Sequence, residues 1–359
     1  MARAAEARPG VIELEVEVEG RVERALAYPA LTGPVVEGDA VLLNTTAGAL
    51  GLGTGGWHFV MAVEGQDEVD PEEPGHVMKL RYTPFQAKVE AVEEQEGRHR
   101  EAFQAAGSLD GLPVVWVPLH SMLGAACAGA KAAGAGRVVH VMTDGAALPA
   151  WFSRQTTALR DAGLLDVVIT AGQAFGGDLE AVNVFSGLLA ARSVAGADAV
   201  VLADGPGKVG TATRWGASDV ASGMSLNAVG ILGGRPVAAL RLNFSSLSYR
   251  HQGVSPHSLT VLSGVALVPV HVAVPALEDE PRGLVWEALM EAGLEERHQL
   301  VEVTGQPAVD LLIEHGVPAD TMGRSLEEEP AFFLAAGAAG VLAGRMGAGD
   351  ARWRDQVER

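Results

Sequence analysis

The chain has 359 residues, carries a formal net charge of −19, and is 48% hydrophobic and 20% charged in composition. A chain of this length is too long for one ordinary core and suits two domains, and its hydrophobic content excludes global disorder. Nucleic-acid binding needs a basic face, so the acidic charge predicts no nucleic-acid partner. A local basic pocket for a small anion remains compatible with this charge, because the field in a pocket depends on nearby groups.

No segment of the sequence predicts export or membrane insertion. Residues 1–10 are polar, and the longest apolar stretches, 265–277 and 331–344, are shorter than the roughly 20 residues that span a bilayer. The second stretch is rich in small residues, which indicates a tightly packed helix or a contact between subunits of a homo-oligomer. Cys127 has no partner for an internal disulfide and no basic flank, which predicts a buried structural thiol in a soluble cytoplasmic protein.

The first part of the chain predicts a small all-β domain. Residues 11–19 alternate apolar and acidic side chains, as a half-buried strand does, and Gly20 turns the chain into a second strand at 22–28. Further strands are predicted at 40–44, 57–63, 77–82 and 87–92. Short strands without helices between them favour a barrel-like fold or a sandwich over residues 1–110, of which 93–110 form a polar linker or short helix.

A glycine-rich hairpin at 50–58 interrupts this domain and ends in His58. The favoured interpretation is a bulged turn, and the alternative is a loop that approaches a ligand closely. Under the alternative, His58 is a ligand-binding candidate that closes over a cleft in the neighbouring domain, because pockets favour domain interfaces.

From residue 111 to 345 the pattern changes to that of an α/β domain, and a polar tail follows over 346–359. Apolar, β-branched runs alternate with longer helical stretches such as 150–162 and 179–194. This alternation predicts a doubly wound, mainly parallel sheet with helices on both faces and right-handed crossovers. The predicted strands lie at 114–117, 138–142, 167–170, 199–202, 237–240 and 268–272, and 285–292, 300–303, 308–314 and 331–344 extend or cap the domain.

Ligands of such sheets bind beyond the carboxyl ends of the strands, where this sequence places several carboxylates. Asp144, Asp178, Glu180 and Asp204 follow three different strands, so the fold could bring them together. Two converging carboxylates could hold a magnesium ion or perform acid–base catalysis. The alternative is helix N-capping, which suits Asp178 ahead of the predicted helix at 179–194. Asp144 and Asp204 are therefore the predicted catalytic carboxylates.

A glycine loop with one lysine follows the strand that ends at Asp204. Its ligand-binding candidates are Gly205, Gly207, Lys208, Gly210 and Thr211, and a helix is predicted directly after them. Backbone amides in such a loop form an anion-binding nest that the following helix dipole assists. The spacing matches neither a Walker A loop nor a dinucleotide fingerprint, and a plain strand–helix turn remains the alternative. Gly176 and Gly177, after the preceding strand, are further candidates.

A long polar stretch at 243–258 contains Arg250, a second candidate anion clamp, and His251, a candidate general base or metal ligand. Zinc-ligand spacing is absent, which leaves the metal unidentified. The nucleophile-elbow spacing of serine hydrolases is also absent around the serines of these loops, Ser121, Ser245 and Ser246.

Several phrases of the sequence together resemble an uncharacterised bacterial domain-of-unknown-function family, found mainly in Gram-positive lineages. They are LNTTA at 43–47, LGTGGWHFV at 52–60, MTDGAALP at 142–149, AFGGDLEAVN at 174–183, GPGKVGT at 205–211, and Arg250 with His251. The resemblance covers most of the chain and implies no reaction. The family tends to have histidine at the position of Gln173 and paired histidines at Pro256 and His257. These departures weaken a histidine-centred metal mechanism and favour the aspartates and the glycine loop.

These patterns favour an enzyme that acts on a small anionic metabolite, for example a phosphorylated one. A non-catalytic ligand-binding or regulatory module would use the same cleft, and a structural protein would use the glycines only for packing. The sequence leaves the reaction, the substrate and the metal open.

Overall fold

The computed structural model describes residues 2–51, 56–66, 68–69, 74–145, 148–211, 213–244 and 252–350. The chain divides into two compact units, Met1–Ala91 and Val92–Arg359. The sequence placed the division near residue 110, whereas in the structure the segment from Val92 onwards clusters with the second unit.

The first unit is built on an open, five-stranded sheet in the order β1-β2-β3-β5-β4. Leu14 and Val16 of β2 are buried while Glu15 and Glu17 are exposed, which confirms the alternation read from the sequence. The sheet is not closed, so the predicted barrel is wrong. The elements are β1 (Ala2–Arg8), β2 (Val11–Val18), β3 (Arg21–Ala27), α1 (Pro29–Thr32), β4 (Val41–Asn44), α2 (Thr46–Ala49), β5 (Trp57–Val63), β6 (Val77–Lys79) and β7 (Ala87–Val89).

The second unit contains an eight-stranded sheet in which every pair is parallel, in the order β11-β10-β9-β12-β8-β13-β16-β17. Two short antiparallel hairpins, β14–β15 and β18–β19, accompany it. The strands are β8 (Pro113–Trp116), β9 (Val138–Thr143), β10 (Val167–Ala171), β11 (Leu179–Ala181), β12 (Ala199–Asp204), β13 (Arg235–Ala239), β14 (Leu242–Asn243), β15 (Gly253–Val254), β16 (His271–Pro275), β17 (Gln299–Val303), β18 (Asp320–Thr321) and β19 (Arg324–Ser325).

Helices cover both faces of this sheet, which confirms the doubly wound α/β fold. The helices α4, α5, α11 and α12 contribute to one apolar core, and α6, α8 and α10 contribute to the other. The helices are α3 (Arg100–Gln104), α4 (Leu123–Ala132), α5 (Arg154–Asp161), α6 (Val184–Ser193), α7 (Ser218–Ser222), α8 (Ser225–Ile231), α9 (Pro256–Thr260), α10 (Asp279–Glu291), α11 (Gln306–Glu314) and α12 (Pro330–Gly347).

Small residues allow α4 and α12 to pack at backbone distance. A Cβ atom on Gly129 would clash with the carbonyl oxygen of Gly337, and one on Gly340 would clash with that of Ala126. By length and composition α12 could cross a membrane, with a mean hydropathy of 1.2, but 78% of it is buried in the unit, as in a core helix. Cys127 lies buried in α4, where desolvation raises the pKa of its thiol, as expected for a structural cysteine.

The predicted helix at 179–194 is wrong over its first residues. Leu179–Ala181 forms the edge strand β11, and α6 starts after Asn183, whose side chain accepts hydrogen bonds from the amides of Phe185 and Ser186. Asp178 is consequently not a helix N-cap. Its Oδ2 accepts a hydrogen bond from the amide of Val168 at 2.8 Å, at the amino end of β10. The fold therefore places Asp178 at the sheet edge opposite to the one predicted.

Candidate functional site

The chain reverses its winding direction at the centre of the sheet. β8 and β9 lead into α4 and α5 on one face, whereas β12, which lies between them, leads towards α8 on the other face. The loops that follow these strands diverge to opposite faces, and ligands of open α/β sheets bind at such a switch point, beyond the carboxyl ends of the strands.

Asp204, the last residue of β12, forms a buried ion pair in this region. Its Oδ2 accepts a hydrogen bond from Lys208 Nζ at 2.6 Å, and its Oδ1 accepts one from the Thr143 hydroxyl. Lys208 also donates to Ser222 Oγ at 3.3 Å. Gly145 lies so close to the Asp204 carboxylate that any Cβ atom there would clash with it. The side chain of Asp204 is 3% exposed and that of Lys208 is 14% exposed, so both charges are largely removed from water.

The burial of this pair carries an electrostatic cost. Removing two charges from water costs several kcal/mol per ion, and their mutual attraction offsets this only with good geometry. Both oxygens of Asp204 are occupied by Thr143 and Lys208. Over the part of the chain that the structure describes, no group of three or more His, Cys, Asp or Glu side chains could hold a metal ion, so the predicted magnesium gains no ligand set.

His120 follows shortly after the end of β8, and its ring contacts the backbone of Asp204. Its Nδ1–H donates to the backbone carbonyl of Asp204 at 3.1 Å, and its Nε2 accepts from the Ser153 hydroxyl at 2.7 Å. Desolvation, reinforced by the neighbouring His140, lowers the pKa of His120 to about 3, so the ring is neutral at pH 7. Ser153 in turn caps α5 by accepting from the amide of Thr156. This chain of hydrogen bonds fixes the backbone that carries Asp204.

His140 is a second buried histidine, in the middle of β9. Its Nδ1–H donates to the carbonyl of Val201 at 2.9 Å, and its ring lies 6.0 Å from that of His120. Burial lowers its pKa to about 4. No residue among those described accepts or donates a hydrogen bond at its Nε2. The sequence did not predict a role for this residue, because one histidine in an apolar run of valines is typical of a core strand.

The glycine loop after β12 bonds largely to itself. The amide of Thr211 donates to the carbonyl of Gly216 at 2.8 Å, and that of Val209 donates to Ser218 Oγ at 3.2 Å. Gly210 pairs with Ala217 in an isolated antiparallel bridge. The helix predicted directly after Thr211 starts only at Ser218 and has five residues. The helix dipole is therefore not placed directly after the loop as predicted, and the amide nest stays a prediction.

The other candidates in this loop, Gly205, Gly207 and Lys208, have roles within the fold. Gly205 is buried, and a Cβ atom there would clash with the side chain of Met142. Gly207 is exposed and has a φ of +98°, which favours glycine. Lys208 bonds to Asp204. An incoming anion would therefore compete with a carboxylate for this ammonium group.

Gly176 and Gly177 use their amides within the protein. The Gly176 amide donates to Glu180 Oε1 at 2.6 Å, and the Gly177 amide donates to Thr170 Oγ1 at 3.1 Å. A Cβ atom on Gly176 would meet the ring of Trp151 at 2.7 Å. These contacts give both glycines a packing role between β10 and β11.

Asp144 follows β9 at the same edge as Asp204 and is exposed. Its Oδ2 accepts a hydrogen bond from the amide of Gln173 at 3.2 Å, and Gly172 leaves room for its carboxylate. Of the four predicted carboxylates, the structure therefore places Asp144 and Asp204 after neighbouring strands, as expected, Asp178 at the opposite edge, and Glu180 within β11, where its carboxylate accepts from Thr170 and Gly176.

A family model described as "Protein of unknown function (DUF3866)" matches residues 24–340, which span most of both units. The chain belongs to this family. The match confirms the resemblance read from the sequence phrases. No curated protein and no solved structure matches the chain. Membership of DUF3866 brings no reaction with it, so function has to be argued from the site.

Three further site candidates of this DUF3866 chain belong to the first unit or lie outside the described residues. His58 is buried on β5 of the first unit, where its Nε2 bonds to Glu23 and its ring abuts Gly48. These contacts give the ring partners within its own unit. Arg250 and His251 lie outside the described residues, as do Ser245 and Ser246, so their roles stay predictions.

Proposed function

We propose that the second unit is an enzyme that acts on a small anionic metabolite, which binds at the carboxyl ends of β8, β9 and β12. The observation that supports this most is the buried pair of Asp204 and Lys208 at the switch point of the sheet. Charged groups held in a desolvated crevice are typical of active sites, because burial makes their electrostatic effect on a substrate larger.

The pair suggests how such an enzyme would work. A substrate anion that bonds to Lys208 weakens the bond between Lys208 and Asp204, which is 2.6 Å long before binding. The Asp204 carboxylate then becomes a stronger base, held in place by the Thr143 hydroxyl and by the bond from His120 to its backbone. Asp204 is accordingly the proposed general base and Lys208 the proposed anion-binding residue.

Turnover of a library of phosphorylated and carboxylated metabolites, followed by mass spectrometry, tests this proposal. We expect Asp204→Asn and Lys208→Met each to reduce turnover about 100-fold or more, as for loss of a general base or of a bound charge. Lys131→Met is the matched control, since Lys131 pairs with Asp166 at 2.7 Å and is 15% exposed, at the other edge of the sheet. Turnover that survives in both site variants would refute the enzyme proposal.

A non-catalytic ligand-binding module is the second candidate. The observation that favours it is that Asp204 and Lys208 each already bond to two partners within the protein, which suits binding without proton transfer. A ligand that binds the wild type, is lost in Lys208→Met, and is recovered chemically unchanged would support this candidate. In either case, the net charge of −19 favours a protein that binds neither nucleic acid nor membranes, and the single cysteine fits a reducing cytoplasm.

A further inference from the structure

A second polar cluster lies beside the Asp204 region, where β13 ends. Arg241 follows β13, and its backbone is fixed by Ser258 Oγ, which accepts from its amide at 3.2 Å. The guanidinium of Arg241 is half-buried. Its one hydrogen-bond partner among the described residues is the sulfur of Met322, at 3.9 Å. A sulfur is a weak acceptor, so this half-buried guanidinium has no strong acceptor among the described residues and can offer its donors to a ligand.

A second arginine reaches the same place on the β18–β19 hairpin, whose tip carries Met322. Arg324 makes a long ion pair through Nε with Glu329 Oε2 at 3.7 Å, and this buried Nε has no hydrogen-bond partner among the residues described. Glu329 also accepts from the amide of Phe244, which is close in sequence to Arg241. The two arginines therefore converge, and the electrostatic repulsion of Arg324, with burial as the larger cause, lowers the pKa of Arg241.

A buried carboxylate completes the cluster. Asp219 on α7 interacts electrostatically with Arg241, and its Oδ1 lies 4.0 Å from His257 Nδ1. Its Oδ2 is buried and has no hydrogen-bond partner within the described part of the chain. The carbonyl of Asp219 accepts from Ser222 Oγ, the hydroxyl that also bonds to Lys208, so the cluster adjoins the proposed active site.

Each of these groups has hydrogen-bonding capacity that a ligand could satisfy. Two guanidinium groups without a hydrogen-bonded oxygen among the described residues favour a multivalent oxyanion, which they can bind in a forked geometry. An unpartnered carboxylate oxygen only accepts, so the ligand must also carry a donor. Inorganic phosphate at neutral pH offers both, because it is anionic and still holds a proton, whereas sulfate holds none. A phosphate monoester, whose second pKa is about 6, would bind here in its protonated form.

We propose that Arg241, Arg324 and Asp219 form a phosphate-binding site at the carboxyl end of β13, in which both guanidinium groups bind phosphate oxygens and Asp219 accepts from a protonated one. This inference rests on the proposed function and deepens it, since it names phosphate as the anionic group of the metabolite. Binding is read without turnover, so its failure is distinguishable from failure of the Asp204 and Lys208 variants in the activity assay.

Calorimetric titration of the full chain with inorganic phosphate and with sulfate at pH 7 tests this site. We expect phosphate to bind about tenfold more tightly than sulfate, and Arg241→Met and Arg324→Met each to weaken phosphate about tenfold or more. Arg241→Lys and Arg324→Lys keep the charge and should lose less affinity. Arg282→Met is the control. Arg282, on α10, makes an exposed bidentate pair with Glu302 of β17, so its loss should leave phosphate binding unchanged.

The variant Asp219→Asn tests the acceptor separately. Its amide can donate to sulfate, so the preference for phosphate should fall to about twofold or less.

A parallel titration with glycerol 3-phosphate distinguishes a monoester ligand from free phosphate. The compound that binds more tightly is the better match to the natural ligand. Absence of phosphate binding in the wild type, undiminished binding in both methionine variants, or an unchanged preference in Asp219→Asn would each overturn the proposed site.

Discussion

Two lysine–aspartate pairs of similar geometry lie at opposite edges of the parallel sheet. Lys208 and Asp204 meet at 2.6 Å at the carboxyl edge, and Lys131 and Asp166 meet at 2.7 Å at the amino edge. The two lysines are almost equally exposed, but the side chain of Asp204 is 3% exposed whereas that of Asp166 is 28% exposed. Similar pairs have thus been placed in different surroundings.

The aspartates at the amino edge share a structural task. Each precedes a strand and accepts a hydrogen bond from a backbone amide at the start of the neighbouring strand. The three bonds run from Val138 to Asp166, from Val168 to Asp178 and from Arg137 to Asp198. Among the described residues, the Asp204 carboxylate accepts hydrogen bonds only from side chains, those of Thr143 and Lys208. An aspartate that caps a strand has a structural role, whereas for the more deeply buried pair at the carboxyl edge we propose a role in ligand binding and catalysis.

The largest expected effect follows from removing one member of each pair. Asp204→Ala leaves Lys208 buried without a counter-charge and should lower the free energy of unfolding by about 3–5 kcal/mol. Asp166→Ala loses one backbone hydrogen bond and a more exposed pair, and should cost about 1–2 kcal/mol. Urea denaturation of the two variants measures the difference. Equal losses would contradict the comparison.

The double variant Asp204→Asn, Lys208→Met sharpens the same point. Because both charges are removed together, it should recover at least half of the stability that Asp204→Ala loses. It should nevertheless remain without activity or ligand binding. A double variant that regains function would show that the pair serves folding alone.

A smaller effect concerns α4, which runs between the two edges, from just after His120 to Lys131 and beyond. Gly340→Ala places a methyl group against the carbonyl of Ala126 and should destabilise the protein by about 1–3 kcal/mol, because the helices must separate. Gly283→Ala on α10 is the control, since nothing lies within 4 Å of its added Cβ, and it should be neutral or slightly stabilising. Thermal unfolding of both variants checks this, and equal midpoints would refute the packing argument.

Acid should weaken the protein through the histidines beneath Asp204. Burial lowers the folded-state pKa of His120 to about 3 and of His140 to about 4, against 6.5 for an unperturbed histidine. Their contribution is fully present above pH 6.5 and falls with pH towards these lower values, because the unfolded chain then binds protons that the folded chain does not. From pH 6.5 to 5.5 the two together should cost about 2 kcal/mol.

Replacing His140 by methionine should roughly halve this dependence, and denaturation at several pH values measures it. A stability that is constant between pH 6.5 and 5.5 would contradict the neutral, buried state of both rings.

The smallest expected effect is that of Lys131→Met. Removing a partly exposed pair whose aspartate keeps its backbone bond should cost less than about 1 kcal/mol. Denaturation of this variant beside the wild type checks the value. A loss of stability as large as that of Asp204→Ala would mean that the Lys131–Asp166 pair is as strongly removed from water as the Lys208–Asp204 pair.

Much of this fold was predictable because its signals are local. Continuous apolar runs predicted most strands of the parallel sheet, and the position of Asp204 and Lys208 at the carboxyl end of β12 made them site candidates. β1 was missed because Ala2–Arg8 lacks β-branched residues, and β11 was assigned to a helix because its three residues adjoin one. Asp178 was accordingly placed at the wrong edge.

The other functional candidates depend on contacts that no local pattern encodes. His120 and His140 matter because the fold buries them next to Asp204 and to each other. Arg241, Arg324 and Asp219 come together from β13, a hairpin between α11 and α12, and α7. Sequence spacing carries no signal for such a cluster.

Ligand-induced stabilisation of Lys208→Met and Lys131→Met tests the central claim most directly. With a ligand at about 100 times its dissociation constant, the wild type should gain about 2.7 kcal/mol in the free energy of unfolding. Lys131→Met should keep this gain and Lys208→Met should lose it. A gain that persists in both variants, or is lost equally in both, would contradict the assignment of chemistry to the carboxyl edge of the sheet.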